Sequence, residues 1–359
     1  MEQIIQSPGK YIQGIGAIEK IGAHAGVKSF VLADEFVMGI TREKIEKSFK
    51  EVKEEVVFEI FKGECSKNEV KRLEEAAKTE KCKMVIGVGG GKTLDAAKAV
   101  GYFLKLPVMI VPTIASTDSP CTALTVFYHD DGTFDEYLFL PHNPDIILMD
   151  TDIIAKAPSR LLVAGMGDAL ATYFEVKSCV NSNSLNLVGG LPTKGGEALA
   201  RLCFETLMED GEKALMAAEK KVATKALNNI IEANTYLSGV GAESGGLGAA
   251  HSIHNGFTIL KECHHLYHGE KVAFGTLAQM FLENYPMDEI EEVAYFCKRV
   301  GLPVSLEEMG IKEIDEEKIM EVAKASCAPG ETIHNTPFKV TPEDVFAAIM
   351  TADNFGSSL

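Results

Sequence analysis

Over its first 150 residues the chain alternates short apolar runs with charged segments of helical period, and that alternation leaves few folds open. SFVLAD (29–34), EVVFEIF (55–61), KMVIGV (83–88) and PVMIVP (107–112) read as strands, with DIILMD (145–150) as the last of the sheet. Between them, TREKIEKSFKEV (41–52) sets Ile45 and Phe49 four apart on an otherwise charged face. SKNEVKRLEEAAK (66–78) opens with Ser66 and Glu69 at capping-box spacing, and KTLDAAKAVGYFL (92–104) reads as a further helix. A βαβα order predicts a doubly wound parallel sheet with helices on both faces. After Pro158 strand-like runs vanish, and the chain reads as successive Ala-, Leu-, Glu- and Lys-rich helices separated by glycine clusters. The expected organisation is an α/β nucleotide-binding domain, residues 1–160, followed by an all-helical domain, residues 161–359, with ligands in the cleft between them. LTVFYHDDGTFDEYLFL (124–140) breaks the alternation, because two strand-like runs flank the turn signal Asp131-Gly132. Such a hairpin is either a flap over a cofactor or a plain edge.

Charge narrows the partners. Lys and Arg number 35 against 52 Asp and Glu, a formal net charge of −17. Nonspecific binding to nucleic acid or anionic membranes runs on Lys and Arg, so neither partner is expected. The longest apolar stretch, 99–115, is broken by Lys105, Pro107 and Pro112, and MEQIIQSPGK lacks the layout of a signal peptide. Eight scattered cysteines without a CxxC read as buried small hydrophobes in a reducing, cytoplasmic compartment.

The sharpest motif is Gly89-Gly90-Gly91-Lys92-Thr93-Leu94-Asp95, set between a strand and a helix start. Three glycines let the backbone approach a diphosphate, and the helix N-terminus offers unpaired N–H groups and a positive dipole end. It is neither a Walker A loop, being one residue short between Gly87 and Gly91-Lys92, nor a GxGxxG fingerprint, since Lys92 takes the place of the last glycine. Asp34, at the end of its strand, suits ribose hydroxyls and would repel a 2′-phosphate, favouring NAD over NADP, although the same residue type also caps helices. VPTIASTDSPCTAL (111–124) follows a strand with Thr113, Ser116, Thr117, Ser119 and Thr122 as hydroxyl donors and Asp118 as its one acid. It is either a ligand loop at the carboxyl edge of the sheet or an ordinary turn.

Five of the nine histidines, His251, His254, His264, His265 and His268, crowd into eighteen positions. His251 and His254 share a helix face, and His268 immediately precedes GEKVAFG, which reads as a helix start. Asp168, in AGMGDALATYFE, is expected at or near a helix start and is a third candidate ligand. Two imidazoles and a carboxylate suit a catalytic Zn²⁺ or Fe²⁺ with coordination left open for substrate. Spacing alone does not say which histidines ligate.

Taken together, GGGKTLD, TIASTDSPCTAL, GMGDALATYFE, GGLGAAHSIHNG, HHLYHGEKVAFG and ETIHNTPFKVT resemble the glycerol dehydrogenases of the metal-dependent, iron-containing-type group III alcohol dehydrogenase family. The resemblance runs over essentially the whole chain. It implies the dehydroquinate synthase-like fold, an α/β nucleotide domain plus an all-α domain, and homo-oligomers. It also implies reversible, NAD-dependent oxidation of glycerol or related vicinal diols to dihydroxyacetone or its analogues. By the same resemblance Asp168, His251 and His268 bind the metal, usually zinc in glycerol dehydrogenases. NAD contacts fall on Asp34, Gly91, Lys92, Thr93, Asp95, Thr113 and Ser116, with Thr122, Leu124 and Tyr128 contributed by the hairpin, which thereby becomes a flap. Asp118 lies beside the polyol, and His254 and Asp118 are the candidate proton acceptors. A metal acting as Lewis acid on a hydroxyl, followed by hydride loss to nicotinamide, is the implied chemistry. Two alternatives stand beside it. One is another diol or a phosphorylated polyol, for which the ligand-flanking segments offer only Lys261 and Lys271. The other is a non-catalytic dinucleotide-binding protein.

Overall fold

A computed structural model describes residues 1–359. Its strands are β1 (Lys10–Gly14), β2 (Ser29–Ala33), β3 (Val56–Ile60), β4 (Met84–Gly89), β5 (Val108–Pro112), β6 (Leu124–Tyr128), β7 (Phe134–Phe139) and β8 (Ile146–Asp150). Six of them form one parallel sheet in the order β1-β8-β5-β4-β2-β3. Every residue of β2, β4, β5 and β8 is buried, as expected for interior strands covered on both faces.

The crossovers hold α1 (Ile21–Ala25), α2 (Glu35–Glu51), α3 (Lys67–Thr79) and α4 (Gly91–Leu104). Alternation of side chains along the strands divides them between two cores. Val31, Ala33, Ile86, Val88, Met109 and Leu148 pack with Ile21, Val37, Ile45 and Phe49 of α1 and α2. Phe30, Leu32, Val85, Ile110, Ile147 and Met149 face the other way, into a core that takes in Leu73 of α3, Leu94 and Val100 of α4, and then Phe174, Phe257 and Phe274 of the helical half. No strand follows β8. The helices after it are α5 (Thr151–Lys156), α6 (Ser159–Ser182), α7 (Lys194–Glu219), α8 (Lys225–Glu232), α9 (Ser238–Gly245), α10 (Ala249–Phe257), α11 (His268–Leu282), α12 (Met287–Val300), α13 (Glu316–Ser326) and α14 (Pro342–Gly356).

Several local expectations need correction. KYIQG forms β1, an edge strand too polar to stand out in the sequence, and it pairs with β8 from Lys10↔Ile146 to Gly14↔Asp150. β8, last of the sheet in sequence, is therefore interior in space. α2 starts at Glu35, ahead of the charged stretch, because Asp34 caps it by accepting from the Val37 amide at 2.9 Å. Only half of the Ser66 capping box forms: Ser66 Oγ accepts from the Glu69 amide, whereas the Glu69 carboxylate turns to the Lys62 amide and Arg72. Asp168 is not near a helix start. It lies well inside the 24-residue α6, since the glycines before it are helical contact points and not terminators. The β6–β7 hairpin forms as expected, as a separate two-stranded sheet. No helix is long and apolar enough to cross a membrane, and all eight cysteines are free, seven of them buried.

Candidate metal centre and nucleotide cleft

The sheet order places a switch point between β2 and β4, because β2 leads outward to β3 while β4 returns to its other side. Ligands of doubly wound sheets bind at the carboxyl ends of such strands. Asp34 ends β2 there, and β4 ends in the glycine loop, with Gly90 as N-cap of α4. A Cβ on Gly91 would meet nothing within 4 Å, so the protein's own packing does not require glycine at this position. Thr93 is buried with its hydroxyl beneath Gly89, and Lys92 Nζ pairs with the Glu64 carboxylate at 2.6 Å and lies 4.8 Å from the Tyr128 ring centroid. The Thr113 amide donates to Gly89 O at 3.0 Å, joining the start of the hydroxyl-rich loop to the glycine loop, and Ser116 follows three residues on, half-buried. Thr122 and Leu124 enter the hairpin from this loop. Asp95 is buried, with its carboxylate on Lys98 and the Val126 amide.

The metal candidates converge from three helices. Asp168 of α6, His251 of α10 and His268, the first residue of α11, offer ligand atoms that all lie within 4.8 Å of one another. Asp168 Oδ1 faces His251 Nε2 at 3.3 Å and His268 Nε2 at 3.1 Å, yet it is fully buried without a hydrogen-bond partner. Glu175, on α6 and wholly buried, accepts from the His251 amide at 2.9 Å and takes His251 Nδ1 at 2.7 Å. With Nδ1–H committed to Glu175, Nε2 keeps its lone pair for a metal, the usual orienting arrangement for a ligating imidazole. Burial opposes ionisation of Asp168, but His268 and His251 outweigh it and hold the carboxyl well below the usual range. Burial likewise opposes charge on His251, and Glu175 with Asp168 more than reverses it. Two imidazole nitrogens and one carboxylate oxygen turned to a single point fit a divalent transition metal, which would take the place of the protons that pair these groups without it. His264 and His265 are outside this group; both are exposed and turned to the carbonyls of Thr258 and Glu262.

Asp118 adjoins the centre. Its amide donates to Asp168 Oδ2 at 3.2 Å, Ser238 Oγ donates to its Oδ2 at 3.0 Å, and burial, then the charge of Asp168, pushes its carboxyl up to about 7. His254 lies beside His268 with ring centroids 4.1 Å apart, and burial, then the charge of His268, hold it well below its ordinary value. Glu331 accepts from Asn255 Nδ2, which leaves Asn255 Oδ1 to meet His254 Nδ1 at 3.0 Å.

The sequence reading missed Glu175, Ser238, Asn234 and Glu331. Glu175 carried a signal, since it stands seven residues after Asp168 and so on the same face two turns along. Asn234, in a π turn between α8 and α9, donates to Ala115 O and Leu162 O and so ties the hydroxyl-rich loop to α6. Nothing local in the sequence marks that link.

A chain of this fold has known relatives. The sequence model of the iron-containing alcohol dehydrogenase family matches residues 8–151. The chain is 58% identical over 359 residues to a glycerol dehydrogenase of Citrobacter freundii, spanning 99% of this chain and 98% of that one. It is 54% identical, with the same coverage, to a glycerol dehydrogenase of an Escherichia coli strain. The crystal structure of glycerol dehydrogenase from Schizosaccharomyces pombe superposes with a TM-score of 0.95 at 40% identity, covering 99% of this chain and 92% of the other. With the fold and the full length in common, this chain belongs to the iron-containing alcohol dehydrogenase family, alongside its glycerol dehydrogenases.

Proposed function

We propose that this chain oxidises glycerol, and related vicinal diols, to dihydroxyacetone or the corresponding ketols, reversibly and with NAD. The observation that carries the reading is the convergence of Asp168, His251 and His268 next to Asp118, in a chain so similar to glycerol dehydrogenases. A divalent ion, most readily zinc, held by those three side chains would supply Lewis acidity toward a substrate hydroxyl. The remaining roles belong to the protein. Glu175 keeps His251 Nε2 free and aimed. Asp118, set by Ser238, offers a carboxylate oxygen to a second hydroxyl of the polyol and, with His254, is a station for the departing proton. The amides at the start of α4 receive the diphosphate, with Lys92 and Thr93 at its side, Thr113 and Ser116 across from it, and Thr122, Leu124 and Tyr128 closing over it. Asp34 has one oxygen on the Val37 amide and the other for ribose hydroxyls. A phosphorylated polyol fits poorly, since the Lys271 ammonium is turned to Leu266 O and Lys261 is exposed. The free thiols suit a cytoplasmic enzyme, and self-association is expected on the resemblance to homo-oligomeric relatives.

The test is direct. Purified protein stripped with a chelator and reloaded with Zn²⁺ or Fe²⁺ is given NAD and a panel of diols. NADH absorbance with glycerol, restored by metal, is the expected result, and absence of NADH with every diol would sink the reading.

A further inference from the structure

The segment from Asp118 to Val126 joins the nucleotide side of the cleft to the metal side, and buried charged side chains take hold of it from both flanks. An irregular segment leaves backbone groups without partners, and once buried these must be satisfied by something else. From α4, Lys98 is 1% exposed, and its three N–H donors meet three acceptors: Ser119 O at 2.6 Å, Leu124 O at 2.9 Å and Asp95 Oδ1 at 3.4 Å. Asp95, one turn earlier, accepts from the Val126 amide at 3.1 Å through Oδ2, and its carbonyl accepts from Thr125 Oγ1 at 3.3 Å. From α9, Glu243 accepts from the Ala123 amide at 2.6 Å and from Asn143 Nδ2, which also donates to Cys121 O at 2.7 Å. One ammonium and two carboxylates are thereby removed from water to shape a segment of nine residues, the last three of them in β6. Such groups are costly to bury and destabilising to break singly, so they define one geometry where apolar packing would tolerate several.

We propose that Lys98 and Glu243 are positioning residues that fix the segment Asp118–Val126 as a unit, so that Thr122 and Leu124 take their places on NAD together with Asp118 on the polyol. This rests on the reading of the chain as an NAD-dependent diol dehydrogenase. It also reassigns Asp95. With Oδ1 on Lys98 and Oδ2 on the Val126 amide, its carboxylate sets the hairpin and does not contact the nucleotide. Because α4 carries the glycine loop at its N-terminus and Lys98 on its third turn, diphosphate binding and hairpin placement share one rigid element.

The test compares K98M, which keeps the side-chain length without the charge, and E243Q, which keeps an acceptor for Ala123 but sets an amide donor against Asn143 Nδ2. Each zinc-loaded variant is measured for NAD dissociation constant, glycerol KM, zinc dissociation constant and hydrogen exchange of amides 122–128. The expected result is a rise of at least tenfold in both the NAD constant and the glycerol KM, faster exchange over 122–128, and a zinc affinity changed far less, since the ligand side chains hang on α6, α10 and α11 and the segment reaches them only through the Asp118 amide on Asp168 Oδ2. A folded variant with wild-type NAD binding, KM and exchange overturns the proposal. So does one in which zinc affinity falls in proportion, because that marks a general folding role. If K98M does not fold, E243Q decides. If wild-type protein neither binds NAD nor oxidises diols, the functional reading falls, and exchange over 122–128 still decides whether the two residues hold the loop.

Discussion

Gly167 and Gly269, chain neighbours of two candidate metal ligands, lie face to face: a Cβ on Gly167 would fall 2.3 Å from Gly269 O, and one on Gly269 would fall 1.8 Å from Ala164 O. That approach of α6 and α11 brings His268 Nε2 to 3.1 Å from Asp168 Oδ1. The two glycines therefore build the candidate metal centre without contributing an atom to it.

Gly269→Ala follows directly. The added methyl meets backbone atoms, which cannot swing aside as a flexible side chain would, so α11 must shift away from α6. Overpacking of this kind costs about 1–3 kcal/mol in a tight core. The functional consequence is larger than the stability loss, because the shift is applied one residue from His268. Zinc affinity, read by competition with a chromophoric chelator, is expected to fall at least a hundredfold with a lowered melting temperature. Unchanged zinc binding would show that α6 and α11 do not set the centre.

Glu175→Gln separates orientation of a ligand from the ligand itself. The carboxylate accepts from both His251 N and Nδ1, whereas an amide has one acceptor and one donor end. With its donor end toward Nδ1, the imidazole moves its proton to Nε2 and loses the lone pair that faces Asp168. Removing an orienting carboxylate typically lowers metal affinity about tenfold to a hundredfold. Without metal the melting temperature should fall, because the buried carboxylate that pairs with His251 has lost its charge. A melting temperature that falls while zinc affinity stays constant would reverse the assignment.

The sequence was most informative where one residue type carries one physical demand. The apolar runs of β2, β4, β5 and β8 announce themselves because a strand buried on both faces must be apolar throughout. The crowding of histidines pointed to the cluster that His251 and His268 form with Asp168, although His264 and His265 of the same run stand outside it. β1 escaped notice because an edge strand has only one demanding neighbour, and KYIQG meets it with a few half-buried residues. Asp168 was placed near a helix start because glycine beside an acid usually reads as a boundary. Here the glycines mark crossings of helices, a tertiary demand that no local pattern records. Lys98 and Glu243 were illegible for the same reason, as their partners lie 21 and 120 residues away along the chain.

Asp34→Gly tests the nucleotide preference. Asp34 Oδ1 caps α2, and glycine at an N-cap costs only a few tenths of a kcal/mol relative to aspartate. Folding should therefore be almost unaffected, and what changes is the negative charge at the end of β2. The ratio of kcat/KM for NADP to that for NAD is expected to rise, mainly through KM for NADP. A ratio unchanged from wild type would leave Asp34 as a helix cap and nothing more.

Gly91→Ala distinguishes a glycine kept for the fold from one kept for a ligand. At Gly101, Gly165 or Gly269 a Cβ would strike a neighbour, but at Gly91 it would enter open space, and the residue occupies the first position of α4. Alanine favours helix over glycine by as much as about 1 kcal/mol in a helix interior and by less at the first position. The variant should melt at or slightly above the wild-type temperature, with zinc affinity intact. If the space above Gly91 is where the diphosphate meets the α4 amides, the same methyl group stands between them, and the NAD dissociation constant should rise at least tenfold. Stability and binding then move in opposite directions, which a structural glycine does not allow. A variant that binds NAD as wild type does would place the diphosphate elsewhere along the carboxyl edge of the sheet.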